Sequence, residues 1–432
     1  MCVQNEERQR KDTMKIFVHR IILSLAFCFA LLPVFGQQPD ANDADSLLRI
    51  SGKIFSMSTK EFLNEAEIHT VDGNASTMSN EDGYFILKCS KDTKAIAVNA
   101  LGYRQEVVAI SSLTKFDNIT IFLRQDAQVL QDVWVFSADN IVESALKKIE
   151  VNYPSEPMLY RTFYRETVKK KRRYVCVIEA VQDVYKKPYS HANPDHDRVF
   201  VEKGRRLLSE NRKDTISVHV EGGPNEALYL DLVKNREFLL NEDFLRLYSF
   251  SFDNTTTIGD RMQYVVSFRL AKNIDIDYSY SGRMFIDAST LAFTRLELSL
   301  DCSDKDKATS FMLRRKPFGL RFKPKSLLTT INYYYDGNKS HVNYIRNEFQ
   351  FGCDWKKKGL YTQYVVTSEN LVTHRERSTD KTPHRPSFSK YDVLDKKVGN
   401  FADPEFWKNY NILEPSESLE NAVRKLMKRA GE

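Results

Sequence analysis

The fold class follows from the stretch Tyr280-Ser281-Gly282-Arg283-Met284-Phe285-Ile286-Asp287, which is closely followed by Leu291-Ala292-Phe293-Thr294-Arg295-Leu296-Glu297. Each run mixes apolar and polar residues in near alternation, as a strand with one buried face does. The three residues between the runs are few enough for a hairpin turn. The pair therefore predicts two antiparallel strands and places this part of the chain in the β class.

Composition extends this prediction to the rest of the chain. The 432 residues include 21 Tyr and 27 Phe, and with many Val, Ile and Thr residues these suit strands better than helices. Residues 225–233 indicate a short helix. We expect further strands at residues 199–201, 246–252, 262–270, 278–287, 294–300, 321–335, 342–351 and 363–371.

A long hairpin is predicted between residues 158–166 and residues 174–181. The five-residue basic run Lys169-Lys170-Lys171-Arg172-Arg173 then falls at its turn. Such a run can contact phosphate-rich lipid headgroups. A solvated hairpin tip is the simpler interpretation, and the sequence leaves both open.

The region from about residue 47 to residue 124 predicts a separate β-domain. The dipeptides Asp72-Gly73 and Asp82-Gly83 supply turn residues that tolerate positive φ. Six or seven short strands at this spacing predict a β-sandwich of roughly 75 residues. The candidate strands are residues 49–55, 66–71, 83–88, 95–100, 106–110 and 118–123.

Four elements of this region resemble the carboxypeptidase-regulatory-like domain, a transthyretin-like β-sandwich common in envelope proteins of Bacteroidota. They are Ser51-Gly52-Lys53-Ile54, Asn80-Glu81-Asp82-Gly83-Tyr84-Phe85, Ala100-Leu101-Gly102-Tyr103 and Ile119-Thr120-Ile121-Phe122-Leu123. The resemblance implies an interaction module. The domain of this family carries no catalytic residues, so no peptidase activity is implied.

Two further resemblances concern the rest of the chain. Residues 138–185 and the tail stretch 403–411 resemble a Bacteroidota family of unknown role, which joins this domain to a long β-rich region. The hairpin at residues 280–297 resembles strand pairs of the half-barrel lipoprotein carriers of the bacterial periplasm, which hold an acyl chain in a concave sheet. We therefore expect a mainly β protein, with an N-terminal transthyretin-like β-sandwich followed by a large antiparallel β-sheet or half-barrel and a few helices.

Residues 1–36 are predicted to be an export signal. The apolar run Ile21 to Phe35 follows Lys15 and Arg20 and ends at the small residue Gly36, the order of parts found in secretory signals. The run is shorter than the roughly 20 residues that span a bilayer, so we expect no transmembrane span in the mature chain. Met14 is an alternative start to Met1. The predicted location is the periplasm or the outer membrane, with secretion as a further possibility.

The remaining boundaries follow from pattern changes along the chain. Residues 47–124 form the sandwich, 125–157 a helical linker, 158–400 an antiparallel β-rich domain and 401–432 a helical tail. The linker helix is expected at residues 138–151, capped by Ser137 or Asp139 and ended by Pro154. In the tail, residues 416–429 predict an amphipathic helix with an apolar side. That side comprises Leu419, Val423, Leu426 and Met427, and residues 374–392 are expected to be a loop or lid.

Four cysteines follow the leader, Cys89, Cys176, Cys302 and Cys353. An oxidising compartment permits disulfides, but no Cys-x-x-Cys pair signals zinc or a redox dithiol. Buried thiols inside strands are the simpler interpretation, and their pairing stays open.

The sequence contains no His-Glu-x-x-His, no Gly-x-Ser-x-Gly and no phosphate-binding glycine loop. The metal candidates are His191, Asp195, His196 and Asp197, which offer ligand types suited to a divalent ion. However, Asn193-Pro194-Asp195 is also ordinary turn chemistry, and a polar loop is the simpler interpretation. We name no catalytic residue and expect no cofactor.

Two functions are consistent with these patterns. The first is a non-enzymatic envelope protein, whose sandwich is an interaction module and whose β-rich domain binds a ligand or an envelope protein, with lipid and glycan as candidate ligands. The second is an envelope hydrolase acting on peptide or glycan, which convergent His and Asp side chains from residues 191–197, His374 and His384 would favour. The net charge of +6 spread over this length does not imply a nucleic-acid partner.

Overall fold

Strands dominate the computed structural model, as the composition predicts: 48% of the chain is strand and 16% is helix. The protein is mainly β, and the expected fold class is confirmed. The export signal and Met14 lie outside the described residues. The structure describes residues 47–126, 137–209, 222–313, 319–355, 361–378, 385–401 and 405–430.

The first seven strands form the predicted β-sandwich. Its two sheets have the strand orders β4-β1-β7 and β3-β2-β5-β6, and alternate side chains such as Ile54, Phe85 and Val98 fill the core between them. The sequence analysis missed β3, which is only three residues long. The strands are β1 (Leu47–Ser56), β2 (Glu67–Thr70), β3 (Ser76–Met78), β4 (Tyr84–Ser90), β5 (Ala95–Asn99), β6 (Glu106–Ala109) and β7 (Ile119–Leu123).

The remaining strands form one 12-stranded sheet with the order β11-β13-β14-β15-β16-β17-β18-β8-β9-β10-β19, and β12 pairs with β13. All pairs are antiparallel except β10 with β19. The strands are β8 (Met158–Lys170), β9 (Arg173–Lys186), β10 (Arg198–Leu208), β11 (Tyr248–Phe252), β12 (Thr256–Ile258), β13 (Arg261–Leu270), β14 (Tyr280–Asp287), β15 (Phe293–Leu300), β16 (Leu320–Tyr335), β17 (Ser340–Trp355), β18 (Thr362–Arg377) and β19 (Gly399–Asn400).

Two hairpins predicted from the sequence are present in this sheet. In the β14–β15 hairpin Met284 lies opposite Leu296, with a bulge at Phe285 and Ile286. In the β8–β9 hairpin Lys170 lies opposite Arg173, so the basic run is at the turn. The pairing of β8 with β18 joins the beginning of this region to its end.

Helices are few and mostly short, namely α1 (Ala138–Lys147), α2 (Ile149–Asn152), α3 (Glu226–Tyr229), α4 (Glu242–Leu247), α5 (Lys305–Met312) and α6 (Glu417–Ala430). The predicted helix at residues 138–151 is observed as α1 and α2. Ser137 caps α1, since its side chain accepts a hydrogen bond from the Asn140 amide. No helix in the described part of the chain is long and apolar enough to cross a bilayer.

The two faces of the large sheet are covered by different parts of the chain. Neighbouring strand residues point to opposite sides, so Tyr344 and Ile345 of β17 join different cores. Ile345 packs with α1, α2 and α4, on what we call the helical face. Tyr344 packs with Met78 of the sandwich and Trp407 of the tail, on what we call the sandwich face.

Two local predictions need correction. Residues 374–377 are not loop but the end of β18, because they pair with β8 as far as Arg377. In α6, Leu419 and Leu426 are buried as expected, whereas Met427 is 41% exposed because it lies beside the apolar side of this helix.

The four cysteines after the leader are all free thiols. Cys89 and Cys353 are buried in strands, and Cys176 in β9 is only partly buried. Cys302 is buried too, but it follows the end of β15.

Candidate functional site

The residues 191–197, predicted as a metal site or a polar loop, are distributed unevenly between surface and interior. His191, Asp195 and His196 are exposed. Asp197 is buried, accepts a hydrogen bond from the Lys187 amide at 2.8 Å and lies 4.0 Å from the Lys234 ammonium. Among the residues that the structure describes, no group of three or more His, Cys, Asp or Glu side chains could hold a metal ion. The structure thus adds no observation in favour of the metal site, which stays a prediction from the sequence.

His374 belongs to a different part of the molecule. Its ring Nδ1 contacts the backbone oxygen of Asn74 in the sandwich, 2.5 Å away, whereas Asp197 contacts residues on the helical face. His384 lies outside the described residues. The arrangement of His374 and Asp197 gives no support to the hydrolase hypothesis.

A pocket of about 280 Å³ opens on the helical face of the large sheet. Its floor is formed by β16 and β17, and its walls come from the α3 region, Phe238, β14 and α5. Most of its lining is apolar, with one carboxyl group. The lining residues are Gly222, Glu226, Tyr229, Leu230, Phe238, Tyr280, Phe311, Leu327, Thr329, Asn347 and Lys390.

Two glycines just before the carboxyl group let the chain pack closely, Gly222 against the loop at Lys390 and Gly223 against β8 of the sheet. Gly222 has φ of 71°, a left-handed conformation that suits glycine, and a Cβ there would lie 2.7 Å from the Lys390 oxygen. A Cβ at Gly223 would lie 2.4 Å from the Tyr164 hydroxyl. This close approach places Glu226, the first residue of α3, over β17 and β18.

Glu226 is the carboxyl group of this pocket, and burial shifts its pKa into the neutral range. Burial raises its pKa from 4.5 to about 7, because the charged form loses its hydration. Hydrogen bonds from the side chains of Ser368 and Asn347 lower the pKa of Glu226, but their effect is smaller than that of burial. The carboxyl group is thus near half-protonation at neutral pH, where it can donate or accept a hydrogen bond and can exchange a proton.

The wall opposite Glu226 is aromatic. The rings of Phe238 and Tyr280 lie 5.7 Å apart, and those of Tyr280 and Phe311 lie 6.1 Å apart in an edge-to-face arrangement. Lys390 is exposed and forms part of the rim. A molecule in this pocket would meet apolar walls and a neutral or ionised carboxyl group.

A buried charged cluster anchors the chain that follows Glu226. The Lys186 ammonium lies 2.8 Å from an Asp231 carboxylate oxygen, and both side chains are at most 1% exposed. The hydroxyls of Tyr189 and Tyr333 donate to Asp231 at 2.6 and 3.0 Å. Lys186 also donates to the Ala227 oxygen at 3.1 Å. These bonds attach α3 and the residues after it to the sheet, which keeps the pocket in shape.

The sequence analysis did not find Glu226. A single glutamate in a short helix belongs to no motif, and its raised pKa depends on β17 and β18, more than 100 positions away. The local signal that was present is Gly222-Gly223-Pro224, which marks a break in regular structure just before the carboxyl group.

Comparison with known proteins identifies the first domain. Residues 50–135 match the family model of the CarboxypepD_reg-like domain, in agreement with the resemblance seen in the sequence. The match covers about a fifth of the chain and leaves out the pocket. No curated protein matches the chain.

Solved structures match only weakly. A DUF1329 family protein from Desulfovibrio piger has a TM-score of 0.24 at 8% identity, covering 57% of this chain and 96% of its own. MucB in complex with MucA(peri) has a TM-score of 0.18 at 8% identity, covering 56% and 100%. A protein of unknown function from Bacteroides fragilis, provisionally named membrane-associated, has a TM-score of 0.15 at 12% identity, covering 76% and 98%. Scores this low do not establish a shared function.

Proposed function

We propose that this protein is a non-enzymatic binding protein of the cell envelope, and that its large sheet holds a small, mainly apolar molecule in the Glu226 pocket. The observation that carries the proposal is a carboxyl group with a pKa of about 7 inside an aromatic pocket. Apolar walls with a few converging polar groups are typical of ligand sites.

The shape of the pocket restricts its ligand. A volume of about 280 Å³ lies at the lower end of the range for small-molecule sites, which favours a compact ring system or a short acyl segment. Glu226 and Asn347 can pair with a hydroxyl, amide or amine on the ligand. Burial of aromatic or aliphatic surface against Phe238, Tyr280 and Phe311 would supply most of the affinity.

The proposed location rests on the leader alone. Residues 1–36 have the parts of an export signal, and the CarboxypepD_reg-like sandwich is proposed to bind an envelope partner. Cell fractionation with mass determination of the mature N-terminus tests this part. A full-length chain that stays in the cytoplasm, with residues 1–36 uncleaved, would contradict it.

The pocket is tested with the fluorescent probe N-phenyl-1-naphthylamine, which is apolar and carries one N–H donor. Leu327 lines the pocket, whereas its neighbour Leu328 points to the other side of the sheet and is 44% exposed. Leu327→Trp should fill the cavity and reduce probe binding at least tenfold. Leu328→Trp is the matched control and should bind as the unmodified protein does.

Glu226→Gln keeps the shape of the pocket but removes its titration. Probe affinity should therefore change with pH around 7 in the unmodified protein and stay constant in the Gln variant. Unfolding curves show whether each variant is folded. Probe binding that is unaffected by Leu327→Trp in a folded protein would refute the proposed site.

A further inference from the structure

Basic side chains gather at one end of the large sheet. This end, which we call the basic end, comprises residues 169–173 of the β8–β9 turn, residues 320–325 of β16, residues 352–355 of β17 and residues 361–363 leading into β18. The proposed pocket function assigns no role to these residues.

Strand pairing places the four segments side by side. Arg321 lies opposite Asp354, Cys353 lies opposite Thr362, and Lys170 lies opposite Tyr364 on one side and Arg173 on the other. The Lys171 amide also donates to the Gln363 oxygen at 2.8 Å. Five neighbouring strands, β16-β17-β18-β8-β9, therefore have one terminus each at this edge of the sheet. At about 4.8 Å between neighbouring strands, the edge is roughly 19 Å wide.

The charge of the basic end is strongly positive. Asp354 is the one acidic residue in these sequence ranges, and it lies 2.5 Å from Arg321 and 3.4 Å from Lys323. With eight basic residues and one acidic residue, these ranges carry a formal charge of 8 − 1 = +7. The basic residues are Lys169, Lys170, Lys171, Arg172, Arg173, Arg321, Lys323 and Lys325.

An exposed aromatic ring lies among these cations. Tyr361 is 45% exposed, and the ammonium groups of Lys323 and Lys325 lie 5.5 and 5.9 Å from its ring centre. A tyrosine flanked by lysines has the chemistry of a bilayer interface, where the ring enters the headgroup layer and the cations meet phosphates. The ring lies against Gly352 of β17, where a Cβ would be 2.3 Å from it, so its position on the sheet is fixed while its outer side stays exposed.

We propose that the basic end docks the protein on an anionic membrane surface through phosphate-bearing lipid headgroups. The basic residues of β16 and of the β8–β9 turn lie along one edge of the sheet, where they can meet an array of phosphates, and Tyr361 supplies an apolar contact. Binding is electrostatic in the main, so it weakens as salt shortens the Debye length.

The test is co-sedimentation with vesicles of phosphatidylcholine, with and without about a third of phosphatidylglycerol. The full chain should bind the anionic vesicles, release them at high salt and not bind the neutral ones. In the triple variant Lys171→Gln, Arg172→Gln, Lys325→Gln, the partition coefficient should fall about 100-fold, since each basic residue near the surface contributes about a factor of five.

A matched triple variant controls for loss of charge alone. This variant, Lys147→Gln, Lys148→Gln, Lys272→Gln, removes three exposed cations outside the basic end and should keep at least a third of the vesicle binding. Binding of N-phenyl-1-naphthylamine should be normal in both triple variants, which separates this proposal from the pocket. Equal unfolding midpoints show that both variants are folded.

Two further measurements distinguish the membrane from other anions. Tyr361→Ser should weaken binding to anionic vesicles several-fold and leave binding to soluble heparin unchanged, and inorganic phosphate at millimolar concentration should not compete with vesicles. Equal vesicle binding by the first triple variant and the unmodified protein would overturn the proposal. Binding to heparin without binding to anionic vesicles would overturn it as well.

Discussion

Glu226 at the start of α3 accepts a hydrogen bond from the hydroxyl of Ser368 in β18, a residue 142 positions further along the chain. This contact holds a carboxyl group against the sheet at the bottom of an aromatic pocket. It links the strand pairing to a property of the pocket that solution experiments can follow, namely the protonation of Glu226.

The stability of the protein should fall as pH rises through the pKa of Glu226. In the folded protein this pKa is raised from 4.5 to about 7, whereas the unfolded chain keeps a value near 4.5. Between these values the folded state holds the proton and the unfolded state does not, so raising the pH favours unfolding. Since Glu226 is partly exposed, we expect the loss in unfolding free energy to be about 2 kcal/mol between about pH 5 and pH 8.

Urea unfolding of the unmodified protein and of Glu226→Gln at several pH values measures this loss. The difference in unfolding free energy between the two proteins should change by about 2 kcal/mol across that range. Glu242→Gln, a change at a glutamate in the first turn of α4 that is exposed, should leave the pH profile as it is. A Glu226→Gln profile parallel to that of the unmodified protein would show that Glu226 does not titrate in this range.

Gly223 should not tolerate a side chain. In Gly223→Ala the new Cβ would lie 2.4 Å from the Tyr164 hydroxyl, so the segment before Glu226 must shift, at a cost of about 1–3 kcal/mol. The pocket should then bind N-phenyl-1-naphthylamine more weakly. Gly399→Ala is the control, since its Cβ would have nothing within 4 Å.

Removing the hydroxyl tests the cause of that cost. In the background Tyr164→Phe, the atom that would lie nearest to the new Cβ of Gly223→Ala is absent. We therefore expect Gly223→Ala to cost at least about 1 kcal/mol less in that background than in the unmodified protein. Equal costs in the two backgrounds would mean that the clash with Tyr164 is not the source.

Asp231 should be among the residues most sensitive to truncation. Asp231→Ala leaves the Lys186 ammonium buried without its carboxylate partner at 2.8 Å, and breaking such a buried pair costs about 3–5 kcal/mol. The double variant Lys186→Met, Asp231→Ala should be less destabilised than Asp231→Ala alone, because no unpaired charge remains. Urea unfolding measures both.

The surface pair of Glu143 and Lys147, with a distance of 2.6 Å, provides the comparison. Glu143→Ala should cost less than about 1 kcal/mol because solvent screens this exposed pair. An equally mild Asp231→Ala would show that the buried pair of Asp231 and Lys186 does not make the expected contribution to stability.

The tail should depend on Asn411. Its side-chain amide accepts from the Lys88 amide at 2.7 Å and donates to the Lys88 oxygen at 2.9 Å, so it pairs with the backbone of β4. Asn411→Ala should lower the unfolding free energy by about 2 kcal/mol, since two backbone groups lose their partner. The exposed Asn409 is the control, and Asn409→Ala should cost less than about 0.5 kcal/mol.

Protease sensitivity of the tail gives an independent measurement. Loss of the Lys88 contact should speed cleavage in residues 405–416, while Asn409→Ala should not. If cleavage rates were equal, the tail would be held by the Trp407 side chain, which is 6% exposed, and not by Asn411.

Much of the local structure was predictable from the sequence. Alternation of apolar and polar residues located most strands, and the cap at Ser137 and the stop at Pro154 located the helix before them. The turn at Lys171-Arg172 followed from the basic run between two apolar stretches. These features depend on interactions within a few residues, so the local sequence carries enough information to predict them.

The pairing of strands and the environment of Glu226 were not predictable in this way. Nothing near β8 indicates that its neighbour is β18, nor that β3 packs against the same sheet through Ser76, whose hydroxyl donates to the Val372 oxygen at 2.9 Å. Residue patterns were enough to establish the β class, the first sandwich and the basic run. The gathering of basic residues at the ends of β16, β8 and β9 and the burial of Glu226 became visible only in the folded chain, because both depend on contacts between residues far apart in the sequence.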